Sequence, residues 1–304
     1  MEVKCMSLVL TLLSALGCGF GGDDEFRQDC YFDVEPTGKS VVFAGSGAGG
    51  SDLWTMSLTS HEPIRIARTI WRESFPAIAH DGSIYYSAYG PSWKLEKLRV
   101  RHPGGSDAPV ISDNSWQRAA VPIKGDSLAV VSYSEVIKYG LASHMPNEFN
   151  LEIYAANGLR KRVLLSDFGD LMLFPGCECQ RGIVVCGSKK LMDRPLCWIV
   201  PLDGGRPQQI HTQETVWSAS ASPDGKTIVY VGTEPEPSVD SDIYLMALDG
   251  TSRRRLTHLR QRIVQARFEP NGKSILFVVG RNFSYDLYRV DLQGTVTHLA
   301  ALVS

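Results

Sequence analysis

Apolar side chains come in short runs along this chain, and the runs end at Gly, Pro, Asp or Asn. The clearest text opens on a turn, Ser222-Pro223-Asp224-Gly225-Lys226. The apolar run 228–231 follows, then the alternating run 242–248, the turn Asp249-Gly250 and the edge Arg253-Arg254-Arg255-Leu256-Thr257. Short runs separated by Asp-Gly turns predict antiparallel strands joined as hairpins. Continuous apolar runs such as Ile275-Leu276-Phe277-Val278-Val279 predict sheets buried on both faces. No stretch sustains the i, i+3, i+4, i+7 spacing of a long amphipathic helix.

This text recurs along the chain. A hairpin glycine stands at Gly38, Gly82, Gly125, Gly182, Gly225 and Gly272, about 44 residues apart except for one longer interval. A third-strand aromatic keeps the same rhythm as Trp54, Tyr154, Trp198, Tyr244 and Tyr288, with Glu96 in its place in the second repeat. Its local text is Asp52-Leu53-Trp54, Glu152-Ile153-Tyr154, Asp242-Ile243-Tyr244 and Asp286-Leu287-Tyr288. Each repeat divides into four strands. The first uses 31–34, 40–44, 52–58 and 64–67; the fourth, whose turn is degenerate, uses 173–177, 183–187, 197–202 and 208–211. One such unit cannot bury both faces of its sheet, but six arranged radially can. The expectation is an all-β chain: a six-bladed β-propeller of four-stranded antiparallel blades over residues 29–304. Closure is open between blade packing alone and edge pairing by residues 25–30 or 300–304. The third repeat carries an insertion at 133–150 that lengthens the hairpin between its second and third strands.

Ser-Pro-Asp-Gly-Lys, then Asp-Ile-Tyr-x-Met-x-Leu-Asp-Gly, then Arg-Arg-Leu-Thr over residues 222–257 resembles the TolB-like, WD40-like propeller repeat of exported bacterial proteins. The resemblance is closest at 222–257, good at 268–292, fair at 34–67 and weak between. It implies a six-bladed ring that serves as a protein- or ligand-binding platform. TolB itself has an α/β domain ahead of its propeller. Only a short tether precedes the repeats here, so TolB's own partnership with peptidoglycan-associated lipoprotein is not implied.

Residues 1–17 read as a signal peptide, with Lys4 in the n-region and an apolar stretch too short to span a bilayer. Ser14-Ala15-Leu16-Gly17-Cys18 resembles a lipoprotein cleavage site, which implies lipidation of Cys18; the alternative is an ordinary secretory signal with Cys18 incidental. Residues 18–28 form the lipidated Cys and flexible tether. Gly19 after Cys18 implies the outer membrane if the host is Gram-negative. The expectation is an exported protein held to the envelope by its lipid alone. Export also permits disulfides, and Cys186 with Cys197, at opposed positions of one hairpin, is the candidate pair.

A net charge of -2 gives no basic field, so nucleic acid is not expected as a partner. The cysteines from Cys177 to Cys197 lie along predicted strands rather than on zinc knuckles, and no metal or cofactor is expected. Gly45-Ser46-Gly47-Ala48-Gly49-Gly50 matches a dinucleotide fingerprint but leads into a strand instead of a helix. No catalytic motif stands out. Counting back from the hairpin glycines places Asp29, Arg72, Glu73, Trp116, Gln117, Arg118, Trp217, Arg262 and Gln265 at the channel mouth. Trp and Arg suit recognition of a protein or a polar envelope component, although Trp116 and Trp217 fit packing between blades equally well. The alternative function is a propeller-type hydrolase or lactonase using channel carboxylates such as Asp29 and Glu73.

Overall fold

The computed structural model describes residues 30–302 apart from 48–49, 68–71, 90–95, 112–115, 140–142, 192, 235–239 and 282–283. The signal peptide, Cys18, the tether and Asp29 lie outside the described residues. Blade one is β1 (Phe32–Val34), β2 (Ser40–Gly47), β3 (Gly50–Ser57) and β4 (Pro63–Ala67). Blade two is β5 (Arg72–Ile78), β6 (Ile84–Tyr89), β7 (Glu96–Arg101) and β8 (Asp107–Pro109). Blade three is β9 (Trp116–Ile123), β10 (Ser127–Tyr139), β11 (Ser143–Ala155) and β12 (Arg160–Phe168). Blade four is β13 (Asp170–Met172), β14 (Glu178–Cys179), β15 (Gly182–Ser188), β16 (Leu196–Val200) and β17 (Gln208–Ile210). Blade five is β18 (Thr215–Ala221), β19 (Thr227–Thr233), β20 (Ser241–Ala247) and β21 (Arg254–Arg255). Blade six is β22 (Ile263–Phe268), β23 (Ser274–Arg281), β24 (Ser284–Asp291) and β25 (Val296–Leu302).

Every blade is an antiparallel meander of consecutive strands, as expected. The six hairpin glycines all hold a positive φ, between 67° and 138°. A side chain is strained in that region, which is why glycine keeps the rhythm. In blades one, five and six the third-strand aromatic faces an aromatic of the second strand: Trp54 opposite Phe43, Tyr244 opposite Tyr230, Tyr288 opposite Phe277. In blade three it sits two pairs nearer the first turn, with Tyr154 opposite Leu128, while in blade four Trp198 faces Val185, again the fourth residue of the second strand. In blade two the position equivalent to Trp54 is held by Leu98, opposite Ser87, and not by Glu96. A single-residue count cannot see such register shifts, because turn lengths differ between blades.

One expectation changes and another holds. The inner strand of blade four is interrupted, β13 and β14 both pairing with β15 while 173–176 loop out. The insertion of blade three is a β-ribbon, with β10 and β11 paired from Ser127↔Ala155 to Tyr139↔Ser143.

The core lies between blades. One buried apolar cluster fills the seam of blades five and six around Val229, Val231, Ile275 and Phe277. Another joins blades three and four through Val131, Leu151, Leu171 and Val185. The largest occupies the four–five and six–one seams together. Tyr31 of blade one and Phe174 of blade four meet there, with ring centroids 6.0 Å apart.

Polar groups lock the seam between blades six and one. Gln265 of β22 is fully buried; its amide donates to Phe32 O at 2.8 Å, and its carbonyl accepts from Phe32 N at 2.9 Å. Two residues along β22, Arg267 forms an ion pair with the buried Asp33. Asp33 also accepts the backbone N–H of Ile78 in blade two at 2.7 Å. Of the two routes left open, edge pairing is not used among the described residues: 300–302 pair within blade six. A side-chain amide takes the place of a ladder bond instead.

All five described cysteines, Cys30, Cys177, Cys179, Cys186 and Cys197, carry free thiols. Cys186 does stand directly opposite Cys197 on β15 and β16. Both are buried in the apolar core, where they pack as small hydrophobes. Burial raises the thiols of Cys177 and Cys186 and pushes that of Cys197 up to about 12.

Removing the seam amide strands two buried backbone groups, so Gln265→Ala is expected to cost about 2–4 kcal/mol. A urea melt with unchanged slope and a lower midpoint measures it; an unchanged midpoint would show that the amide does not hold the ring. The raised thiols give a second expectation. The folded protein keeps these protons while the unfolded chain releases them, so stability is full below about pH 8.5 and falls as pH climbs. In the folded protein at about pH 8, Cys177, Cys186 and Cys197 react with a thiol reagent orders of magnitude more slowly than in urea. Equal rates would contradict their burial.

Candidate functional site

Aromatic side chains meet across the ring axis. Tyr31 of blade one stacks on Phe75 of blade two, with centroids 4.2 Å apart and planes at 17°. Phe174 of blade four closes on the other side of Tyr31. Blades one and four stand opposite each other in a six-bladed ring, so the contact of Tyr31 with Phe174 lies across the axis. Phe75 reaches it through a register shift between Ser74 and Ala77, with a φ of 49°. A bulky residue in the left-handed region is strained, and the bulge re-aims its ring.

The residues expected at the channel mouth are mostly engaged between blades. Glu73, Gln117, Arg118 and Gln265 are buried. Gln117 Oε1 accepts the N–H of Leu98 at 3.3 Å, tying blade three to blade two. The carbonyl of Glu73 accepts the Ser51 hydroxyl at 2.7 Å, tying blade two to blade one. Arg118 pairs with Asp170 of blade four at 2.6 Å, and its guanidinium lies 4.3 Å from the centre of the Phe149 ring. Trp116 packs against Tyr133, with centroids 5.2 Å apart. Trp217 packs on the five–six core and donates its indole N–H to Thr233 Oγ1 at 2.7 Å. Arg72 opens β5 and Arg262 directly precedes β22; both are half-buried. Glu73, Arg118 and Asp170 are thus gathered on neighbouring inner strands, while Trp217 and Gln265 serve other seams.

Sequence reasoning missed Asp33, Asp170 and Arg267, because each needs a partner on another blade. It also missed the purpose of the acidic residue before each aromatic. In blade one Asp52 pairs with Arg65 at 3.2 Å, and Arg65 lies directly across from Trp54 on the fourth strand. Blade three repeats this with Glu152, Arg160 and Tyr154, the ion pair at 3.1 Å. Blade five uses Asp242, Arg255 and Tyr244, at 2.5 Å. Blade six uses Asp286, His298 and Tyr288, at 2.9 Å. An acid, a basic side chain and a ring recur as a staple between third and fourth strands, and in blades one and five the guanidinium lies 5.7 and 6.0 Å from the ring centre, close enough to add its own attraction.

Two open clefts flank the outer strands of blades four and five. The blade-five cleft, about 420 Å³, is lined by Gln213, Glu214, Glu234, Tyr244, Arg253 and Arg255. Its charges are matched: Arg253 pairs with Glu214, and Arg255 with Glu234 at 2.7 Å. The blade-four cleft, about 640 Å³, is lined by Lys189, Trp198, Arg206, Pro207, Gln208, Gln209 and His211. No group of three or more His, Cys, Asp or Glu side chains with metal-binding geometry occurs among the described residues. No helix there is long and apolar enough to cross a membrane.

No family model matches the sequence, and no curated protein matches it significantly. Solved structures do resemble the fold. TolB from Acinetobacter baumannii superposes with a TM-score of 0.65 at 12% identity, over 90% of this chain and 63% of that one. This chain therefore spans less than two thirds of that TolB. An oligogalacturonate lyase in complex with manganese gives 0.61 at 15% identity, covering 89% of this chain and 76% of the lyase. An acylaminoacyl peptidase gives 0.59 at 14% identity, over 89% of this chain and 46% of the peptidase. In fold, this chain is a TolB-like six-bladed propeller.

Proposed function

We infer that this protein is an exported, lipid-anchored propeller that binds a protein or another component of the cell envelope and carries out no chemistry of its own. The observation that carries this is the use of the interior. Tyr31, Phe75 and Phe174 meet across the axis, and Gln117, Arg118 and Gln265 are engaged in blade-to-blade bonds. Contact area is then offered by the rims and outer edges of the ring, the arrangement of a platform. Within the expected contact set, Arg72, Trp116, Trp217 and Arg262 keep part of their surface exposed and are the ones a partner at the mouth would touch. A hydrolytic reading would instead rest on Glu73 and Asp170 flanking Arg118, and on the likeness to the lyase and the peptidase.

Affinity capture from solubilised envelope with the whole protein as bait tests the platform. A specific, saturable partner that Arg72→Ala or Trp116→Ala weakens supports it. Turnover of a lactone or glycoside substrate that is lost in Asp170→Asn would favour the hydrolytic reading. The anchor has its own test: Cys18→Ser is expected to release the protein from the membrane fraction and abolish labelling by a fatty-acid analogue. Undiminished labelling of that variant would refute lipidation at Cys18.

A further inference from the structure

Blade four breaks the staple that four other blades share. The residue across from its aromatic Trp198 is Gln209, where the others place Arg65, Arg160, Arg255 or His298. The residue two before Trp198 is Leu196, where the others carry Asp52, Glu152, Asp242 or Asp286. A cation is nonetheless present. Lys189, from the end of β15, holds its Nζ 3.9 Å from the centre of the Phe168 ring and 5.8 Å from that of Trp198. Phe168 meets Trp198 edge-on at 5.2 Å, so the two rings form a floor beneath the ammonium group.

The carboxylate is what is lacking. Lys189, Arg206 and His211 are all exposed and line one cleft, and none of them pairs with a carboxylate among the described residues. The adjoining blade-five cleft, with similar lining chemistry, neutralises its arginines internally. Beside the unmatched cations runs β17, the outermost strand of blade four, whose far side has no strand paired to it among the described residues. An open strand edge takes an added strand through backbone hydrogen bonds, with side chains at alternate positions reading the flanking surface.

We propose that the blade-four cleft docks an acidic, extended segment of a partner protein, laid along β17, whose carboxylates complete the staple over Lys189 and Trp198. This rests on the platform reading and gives it a location and a partner chemistry. The carboxylate meets an ammonium already seated on two ring faces, with Arg206 and His211 at the same cleft and the Gln208 and Gln209 amides alongside. Charge complementarity of this kind sets partner choice and encounter rate.

The probe is a fluorescein-labelled octapeptide of alternating Glu and Thr, followed by anisotropy with the whole protein. Saturable binding is expected, with affinity falling at least about tenfold in Lys189→Glu/Arg206→Glu and by less in Lys189→Met, which keeps most of the packing stem. Lys273→Glu, an exposed charge reversal in a blade-six turn, stays within about twofold of the parent. A peptide with Gln for Glu loses binding. Thermal melts confirm that each variant is folded. The proposal is overturned by no saturation up to about 1 mM peptide. Equal weakening by Lys273→Glu, or tighter binding of a uronic-acid oligomer of the same charge, would also overturn it. Envelope capture separates the two levels. Identical partners on parent and Lys189→Glu/Arg206→Glu baits defeat the cleft assignment and leave the platform standing. Empty capture by both, with the peptide still bound, defeats the platform alone.

Discussion

The ring depends on one seam. Five of its junctions are crossed by the chain itself, since each blade continues into the next. The junction of blades six and one is not, and the two sides must find each other across nearly the whole sequence. Apolar packing draws them together without fixing an alignment. Gln265 supplies the alignment by holding both backbone polar groups of one residue, the N–H and C=O of Phe32. Asp33 then ties Arg267 on one side to the Ile78 backbone on the other, so blades six, one and two share a single carboxylate. Buried polar bonds of this sort add modest net energy but strongly penalise misalignment. They suit a junction that must close in one register.

The same division of labour runs through the blades. Apolar faces fill the wedges between neighbouring sheets, while acid–base pairs beside the third-strand aromatic pin the outer strands of blades one, three, five and six. The fourth strands of blades one, two, four and five are short and lie at solvent-exposed edges, where a few ladder bonds would fray. β21 has only two residues, and Arg255 holds it by reaching both Asp242 and Glu234. Asp242 in turn accepts Thr257 Oγ1 at 2.8 Å and Leu259 N at 2.7 Å, so one buried acid fastens the whole exit from blade five.

The fold was legible in the sequence because its signals are local. Turn glycines need a positive φ wherever they occur, and alternating strands declare themselves within a few residues. Six glycines and five aromatics therefore sufficed for the number of blades and nearly all strand positions. Register was less visible. The displacement of Tyr154 relative to Trp54, and the break in the inner strand of blade four, depend on turn and loop lengths that leave no mark in the residue count. The channel mouth was least legible. Counting placed Gln117, Arg118 and Gln265 near the axis, but it could not tell a side chain facing solvent from one committed to the next blade. That distinction is set by pairs such as Arg118 with Asp170, far apart in the chain.

A ring of six similar sectors poses a problem of orientation for anything that binds it. Near-equivalent blades offer near-equivalent footholds, and a partner reading only the common pattern could settle in several rotational positions. The β-ribbon of blade three removes that degeneracy. Its backbone pairing runs out to Tyr139↔Ser143, making β10 and β11 the longest strands among the described residues. A ribbon longer than any other described strand pair acts as an index mark on the wheel, giving the disc a defined zero angle.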